Sequence, residues 1–295
     1  MSEGLDDVVR AYPDESWAEG GPTHDVEEVV ESGHVLAFAN LRFALTADES
    51  RFLDPRWADG KAKNISLRGV GNELRGAAGD AEDLAALRFM IVRFAAQSEA
   101  LVLRLFPRYR GRLRRGNTSF RPLAVGGRAS SWRQDDSRLH VDAFPSNPMQ
   151  GTRLLRVFSN VNPNGEPRRW VVGEPFEAHA RRYRRHLAPP LPGVPWLLQR
   201  LGITKSRRTA YDHAMLQLHD HAKADPVFQK DSPQRRVDFA PGTTWVCFSD
   251  QVLHAALGGQ HLLEQTFYLG PGDLAHPETA PLATLERLLG RPLLV

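Results

Sequence analysis

The chain has a single cysteine, Cys247. That excludes an internal disulfide framework and any cysteine-based zinc cluster. It has no long uninterrupted apolar run. The most hydrophobic stretch, Leu84 to Phe106, is broken by Arg88, Arg93, Glu99 and Arg104. Those charges would be costly in a bilayer, so the stretch is expected to be an amphipathic helix packed on a core. The opening residues, MSEGLDDVVR, lack the basic start and apolar centre of a secretory signal. The expectation is a protein that is cytosolic or peripheral to a membrane, with Cys247 reduced and buried. No repeat of fixed period occurs, and no glycine-rich turn joins a strand to a helix. The first removes solenoids and the second disfavours a parallel dinucleotide-binding sheet.

What is present is an ordinary globular composition, 41% hydrophobic and 25% charged, over 295 residues. The formal charge of +3 conceals an uneven distribution. Residues 1–100 balance at −9. Residues 101–210 carry 22 basic against 6 acidic residues, and residues 211–295 balance at −4. The cationic middle implies an anionic partner: nucleic acid, a membrane surface, or a phosphorylated or carboxylated substrate.

Residues 1–30 are acidic and expected to be a loose lead-in. Residues 31–115 are expected to be mostly helical and packed on a β-rich remainder, with Asp80 capping the helix that ends near Phe106. RYRGRLRR, Arg108 to Arg115, is expected to be an exposed cationic linker. From residue 116 the pattern turns to short strands: Leu139–Phe144, Arg153–Val161, Trp170–Val172, Thr243–Phe248 and Leu262–Leu269. Helical inserts are expected at about 175–225, and a last helix at about 282–289. The fold class is β-rich α+β, a sandwich or jelly roll with helical insertions.

The sharpest local signal is His140-Val141-Asp142. In a strand, side chains two apart share a face, so imidazole and carboxylate project together. They supply two of the three ligands of a 2-His-1-carboxylate iron site. His254, 114 residues further on and just past a strand, is the candidate third. An enzyme of this kind that uses 2-oxoglutarate also needs a cation for the far carboxylate of that cosubstrate. Ten residues after His254 stands Glu264, so the commonest placement of that cation fails. Arg156, in LLRVFSNVN, is the alternative, because a guanidinium binds a carboxylate bidentately. Strand parity puts Asn160 on the same face.

The runs HVDAFPSNPMQGTRLLRVFSNVNPNGEPRRWVVGEPFE, LGITKSRRTAYDHAMLQLHD and PGTTWVCFSDQVLHAALGGQHLLEQTFYL resemble the bacterial Kdo hydroxylase family, where Kdo is 3-deoxy-D-manno-oct-2-ulosonic acid. The resemblance spans roughly residues 30–295 and is densest over 117–291. It implies a double-stranded β-helix (jelly roll, cupin-like) and an Fe(II)- and 2-oxoglutarate-dependent dioxygenase that consumes O2. The implied reaction is hydroxylation of C3 of Kdo on Kdo-lipid A, giving Ko. By the resemblance His140, Asp142 and His254 are the iron ligands, and Arg156 and Arg121 are cations for the cosubstrate or substrate. Asn160 joins them as a candidate cosubstrate contact. Lys205, Arg207, Arg208, Arg153 and Arg133 are candidate substrate contacts for sugar carboxylate and phosphate; Arg128 lies in the same stretch.

The missing secretory signal, and the compartment in which 2-oxoglutarate is made, lead to the expectation of a cytoplasmic protein, or one peripheral on the cytoplasmic face of the bacterial inner membrane. For Arg181, Arg182, Arg184 and Arg185 a solvated helix face competes with contact to anionic lipid headgroups. Nucleic acid is not expected, because the basic runs contain only Tyr109 and Tyr183 as interleaved aromatics. The competing functions are a dioxygenase acting on another anionic substrate, such as protein or RNA, and a non-catalytic anionic-lipid-binding module. The sequence leaves the oligomeric state open.

Overall fold

A computed structural model describes residues 5, 7–20, 25–68, 73–125 and 131–294. Its strands are β1 (Val9–Tyr12), β2 (Val35–Phe38), β3 (Ile65–Leu67), β4 (Leu74–Arg75), β5 (Arg114–Arg121), β6 (Arg153–Asn160), β7 (Arg168–Gly173), β8 (Gln234–Phe239), β9 (Thr244–Phe248), β10 (His254–Gly258) and β11 (Leu262–Leu269). Its helices are α1 (Val26–Glu31), α2 (Ala81–Leu105), α3 (Phe176–Tyr183), α4 (Val194–Arg200), α5 (Ala210–Ala224), α6 (Pro226–Asp231) and α7 (Pro281–Leu289). Eight strands form one sheet in the order β1-β2-β9-β6-β11-β5-β3-β4, and β10-β7-β8 form a second. Among the described residues only the β1–β2 pair is parallel. The two sheets face each other as a jelly roll.

Two-residue periodicity sorts the side chains into layers. On the smaller sheet and the segment beside it, Leu139, Val141, Val171, Leu253 and Ala255 point outward. They join a core with Phe176 of α3, Met215 and Leu218 of α5 and Leu285 of α7. The alternate residues Trp170, Val172 and Ala256 point inward to Phe158, Trp245, Cys247 and Leu262 of the large sheet. The outer face of the large sheet is covered by α2, whose Leu87, Met90, Ile91, Phe94 and Leu101 follow helical spacing and meet Leu155, Val157 and Phe267. Asp80 caps that helix by accepting from the Asp83 N–H. Burying each such side chain contributes roughly 1.5–3 kcal/mol.

Three sequence expectations need correction. The run Arg108–Arg115 is not a linker: its last two residues open the strand β5, which is held between β11 and β3. Tyr109, in the same run, is fully buried. The described part of the lead-in is tied down, since β1 pairs with β2 and the Asp14 carboxylate meets buried Arg104 at 2.6 Å. Leu139–Phe144 is extended but bonded as a strand only through His140. Cys247 is buried, as expected, and burial pushes its thiol far above the ordinary range.

Candidate metal centre and its cationic pocket

The triad comes from two neighbouring chain segments. The His140 N–H donates to the His254 carbonyl at 3.1 Å, and the His254 N–H returns to the His140 carbonyl at 2.8 Å. His254 begins β10, and Asp142 follows His140 inward by strand parity. One potential ligand atom from each of His140, Asp142 and His254 lies within 4.8 Å of the others. Among the described residues no other such group of three occurs.

Each imidazole is fixed from behind. Nδ1 of His140 lies 2.7 Å from the Arg138 carbonyl, and Nδ1 of His254 lies 2.9 Å from the Val252 carbonyl. A carbonyl only accepts, so each Nδ1 carries the proton and each Nε2 presents a lone pair to a metal. Burial, with His254 and Lys223 adding to it, holds the His140 imidazole well below its ordinary 6.5, in the neutral form a metal requires. Burial alone would lift the Asp142 carboxyl. Arg156, 3.1 Å from Oδ2, is the largest of several opposing influences, His254, His140 and Ser249 being the others, and together they outweigh burial and keep the group ionised. Trp170 stacks on His254 at 5.1 Å, and His219 meets His140 edge-on at 5.4 Å.

A pocket of about 180 Å³ opens in front of the triad. On its large-sheet wall Glu264 of β11 sits diagonally between Arg121 of β5 and Arg156 of β6. It accepts from Arg121 at 2.6 Å and from Arg156 at 2.8 Å. Arg121 also reaches Asp136 at 3.3 Å, and Lys63 meets the same carboxylate at 2.5 Å. From the smaller sheet comes Arg168, buried, donating to the Gly259 carbonyl at 3.0 Å. It has no carboxylate partner among the described residues. Phe144, Phe158, Trp170 and Leu262 supply the apolar lining.

Five buried polar atoms of this lining lack a hydrogen-bond partner among the described residues. They are Nε of Arg121, Arg156 and Arg168, Nε1 of Trp170, and Oδ2 of Asp142, which is ion-paired with Arg156 at 3.1 Å without a hydrogen bond. Folded proteins rarely leave such groups unpaired. Four donors and one acceptor in a single pocket fit an anionic ligand lying beside a cation held through Asp142.

The pocket gathers five of the residues picked out from sequence: His140, Asp142, His254, Arg156 and Arg121. Arg153 is not there. It has the opposite parity on β6, is fully buried, and binds Asp250 at 2.7 Å and Gln251 at 2.6 Å over the Phe248 ring. Asn160 has the right parity but stands at the strand's end. Its amide donates to the Glu166 and Phe239 carbonyls at 3.1 and 3.0 Å, leaving no NH₂ proton for a cosubstrate. Arg133 is exposed and paired with Asp220 at 2.9 Å, outside the pocket. Lys205, Arg207 and Arg208 occupy a loop seated on the segment after Phe144: the Lys205 N–H donates to the Ser146 carbonyl, and the Arg208 guanidinium to that of Pro145. Arg128 lies outside the described residues.

Sequence reasoning missed Arg168, Trp170, Asp136 and Lys63 as pocket residues. A signal existed for the first two, because Arg168, Trp170 and Val172 alternate along β7 on the face that meets His254.

Jelly roll, 2-His-1-carboxylate group and arginine-lined pocket together define a mononuclear non-haem iron dioxygenase of the 2-oxoglutarate-dependent class. A family model described as 3-deoxy-D-manno-oct-2-ulosonic acid (Kdo) hydroxylase matches residues 15–292. The chain belongs to the Kdo hydroxylase family. No curated protein matches it. Among solved structures it is similar to the Kdo hydroxylase KdoO, a non-heme Fe(II) α-ketoglutarate-dependent dioxygenase, in complex with cobalt(II): 48% identity, 97% of each chain covered, TM-score 0.93. The same protein in complex with α-ketoglutarate and Fe(III) gives 47% identity, 97% coverage of each chain and a TM-score of 0.91. Its succinate and Fe(III) complex gives 47%, 97% of each chain and 0.92. The expected fold class and the expected Kdo hydroxylase family are both borne out.

Proposed function

We propose that the chain hydroxylates C3 of Kdo on Kdo-lipid A, forming Ko and releasing succinate and CO2, and that its pocket is the site of this reaction. His140, Asp142 and His254 hold Fe(II). When bound, Fe(II) and 2-oxoglutarate supply, with O2, the oxidising equivalents that replace a substrate C–H by C–OH. The protein's part is placement. The carbonyls of Arg138 and Val252 aim the two imidazoles. Arg156, Arg121 and Arg168 offer guanidinium donors to the cosubstrate's carboxylates, and Trp170 and Phe158 exclude water.

Charge supports the assignment. The lining carries four cations (Lys63, Arg121, Arg156, Arg168) and three carboxylates (Asp136, Asp142, Glu264), an excess of one positive charge. Fe(II) adds two. A 2-oxoglutarate dianion and one Kdo carboxylate together carry three negative charges. Lys205, Arg207 and Arg208, on the loop behind Phe144, are assigned to the phosphates or second carboxylate of the substrate. Because that substrate is lipid-borne, the protein is assigned to the cytoplasmic face of the inner membrane as a peripheral protein. No helix among the described residues is long and apolar enough to cross a membrane.

The observation that carries this reading is the set of four N–H donors without an acceptor, on Arg121, Arg156, Arg168 and Trp170, around the triad. Mass spectrometry of lipid A saccharides from cells with and without the protein tests it. A gain of one oxygen atom on Kdo, seen only with the protein, is expected; identical spectra would overturn it.

A further inference from the structure

Between Glu177 and Asp212 the chain has no acidic residue, yet it carries seven arginines and one lysine. Arg184, Arg185, Arg200, Lys205 and Arg207 of this stretch are exposed and form no ion pair with a described residue. The same stretch holds six of the eleven exposed large apolar side chains among the described residues: Leu191, Val194, Trp196, Leu197, Leu201 and Ile203. Leu191 is 72% exposed, Leu201 63% and Trp196 60%. An amphipathic helix on a globular surface turns its apolar face to the core. Of α4 only Pro195 is buried, and Val194, Trp196 and Leu197 face solvent.

This surface is held in shape. The N–H groups of Ile203 and Thr204 return to the Leu198 carbonyl at 3.0 and 3.3 Å, a reversal that Gly202 permits with its φ of +68°. Gln217 of α5 clamps Ala188 through two hydrogen bonds of 2.9 Å. At the other end Lys205 is bonded to Ser146, two residues beyond Phe144 of the pocket. The apolar patch is thus tied to the segment that leaves the catalytic pocket.

We infer that residues 188–208 form a docking wedge for an anionic lipid bilayer. Its Trp and Leu side chains enter the acyl boundary, and the unpaired Arg184, Arg185 and Arg200 beside them meet the headgroups, Lys205 and Arg207 being left for the substrate. A symmetric contact between two copies of this patch would set cations against cations, so a second chain is the poorer occupant. The inference rests on the reading that the substrate is lipid-borne, and it assigns the element that brings the pocket to it.

The test is flotation of the full chain with vesicles of equal parts phosphatidylglycerol and phosphatidylcholine, free of lipid A. The comparison is a Trp196→Ser/Leu197→Ser/Ile203→Ser variant, whose changes are all at exposed positions. The wild type is expected to float with these vesicles, to bind pure phosphatidylcholine far less, and to lose binding about tenfold or more in the variant. Turnover of vesicle-borne Kdo-lipid A is expected to fall to a similar degree, while turnover of deacylated, water-soluble Kdo oligosaccharide stays unchanged. Equal vesicle binding by variant and wild type would overturn the inference. So would equal loss of turnover on both substrates, or a dimer that the variant splits while vesicle binding persists. Flotation is read without turnover, so an inactive preparation that still floats would refute the hydroxylase reading and leave the docking wedge standing.

Discussion

The Arg156 guanidinium stands 3.1 Å from Oδ2 of Asp142, one of the three candidate metal ligands. One cation therefore serves two tasks: it helps to keep that carboxylate ionised, and it lends a charged wall to the pocket. Arg156→Ala is expected to raise the 2-oxoglutarate KM by about 10- to 100-fold, the loss of a charge-assisted contact. Steady-state kinetics with varied 2-oxoglutarate measure it. An unchanged KM would move the role to Arg121 or Arg168.

Glu264 occupies the position where this class of enzyme commonly has a cation, and it holds two cations instead. Burial pushes its carboxyl up, but Arg121 and Arg156 outweigh burial and bring it below the ordinary 4.5. A depressed acid stabilises the fold fully above its unfolded pKa, and that contribution disappears as pH falls below about 4.5. Urea midpoints at neutral pH and at about pH 4 are expected to fall further in the wild type than in Glu264→Gln. Glu264→Ala, which removes the carboxylate that Arg121 and Arg156 share but leaves them Asp136 and Asp142, is expected to cost about 1.5–3 kcal/mol. Parallel pH profiles for wild type and Glu264→Gln would contradict this ion pairing.

Arg168 is a buried charge without a carboxylate among the described residues. Burial and the neighbouring Arg121 lower its affinity for the proton. Such a group destabilises the ligand-free fold and is compensated when an anion arrives. Arg168→Met is expected to leave the Tm unchanged or raise it by about 2–4 °C. Stabilisation of the protein by added 2-oxoglutarate should shrink in the same variant. A lower Tm with undiminished ligand stabilisation would make Arg168 a structural residue.

Arg153 provides the opposite case. Removing it leaves Asp250 buried and unpaired, so Arg153→Met is expected to cost about 3–5 kcal/mol in urea unfolding. The folded fraction should keep wild-type KM for both substrates. A stable variant with a raised KM for Kdo-lipid A would restore the substrate contact that its burial excludes.

Much of the site is legible in the sequence because strand periodicity is simple. His140 and Asp142 share a face by spacing alone, and β11 occupies the residues expected of it, Leu262–Leu269. The same parity that favours Arg156 argues against Arg153, three residues earlier, so the burial of Arg153 is readable from spacing too. β5 is not legible. Its sequence, RRGNTSFR, has glycine, asparagine and a basic start, and it becomes a strand because β11 and β3 bond it on both sides. The diagonal bridging of Arg121 and Arg156 by Glu264 depends on that tertiary register, which no local pattern carries. The exposed apolar face of α4 is equally hidden, since WLL in a short helix looks the same whether a core covers it or not.

His140, Asp142, His254 and the arginine wall are expected to take up Fe(II) and 2-oxoglutarate together. Oxygen-free absorption spectroscopy of the purified protein with both added tests it most directly. A weak visible charge-transfer band is predicted, lost in His140→Ala. No band in the wild type, or a band that survives in His140→Ala, would contradict the account.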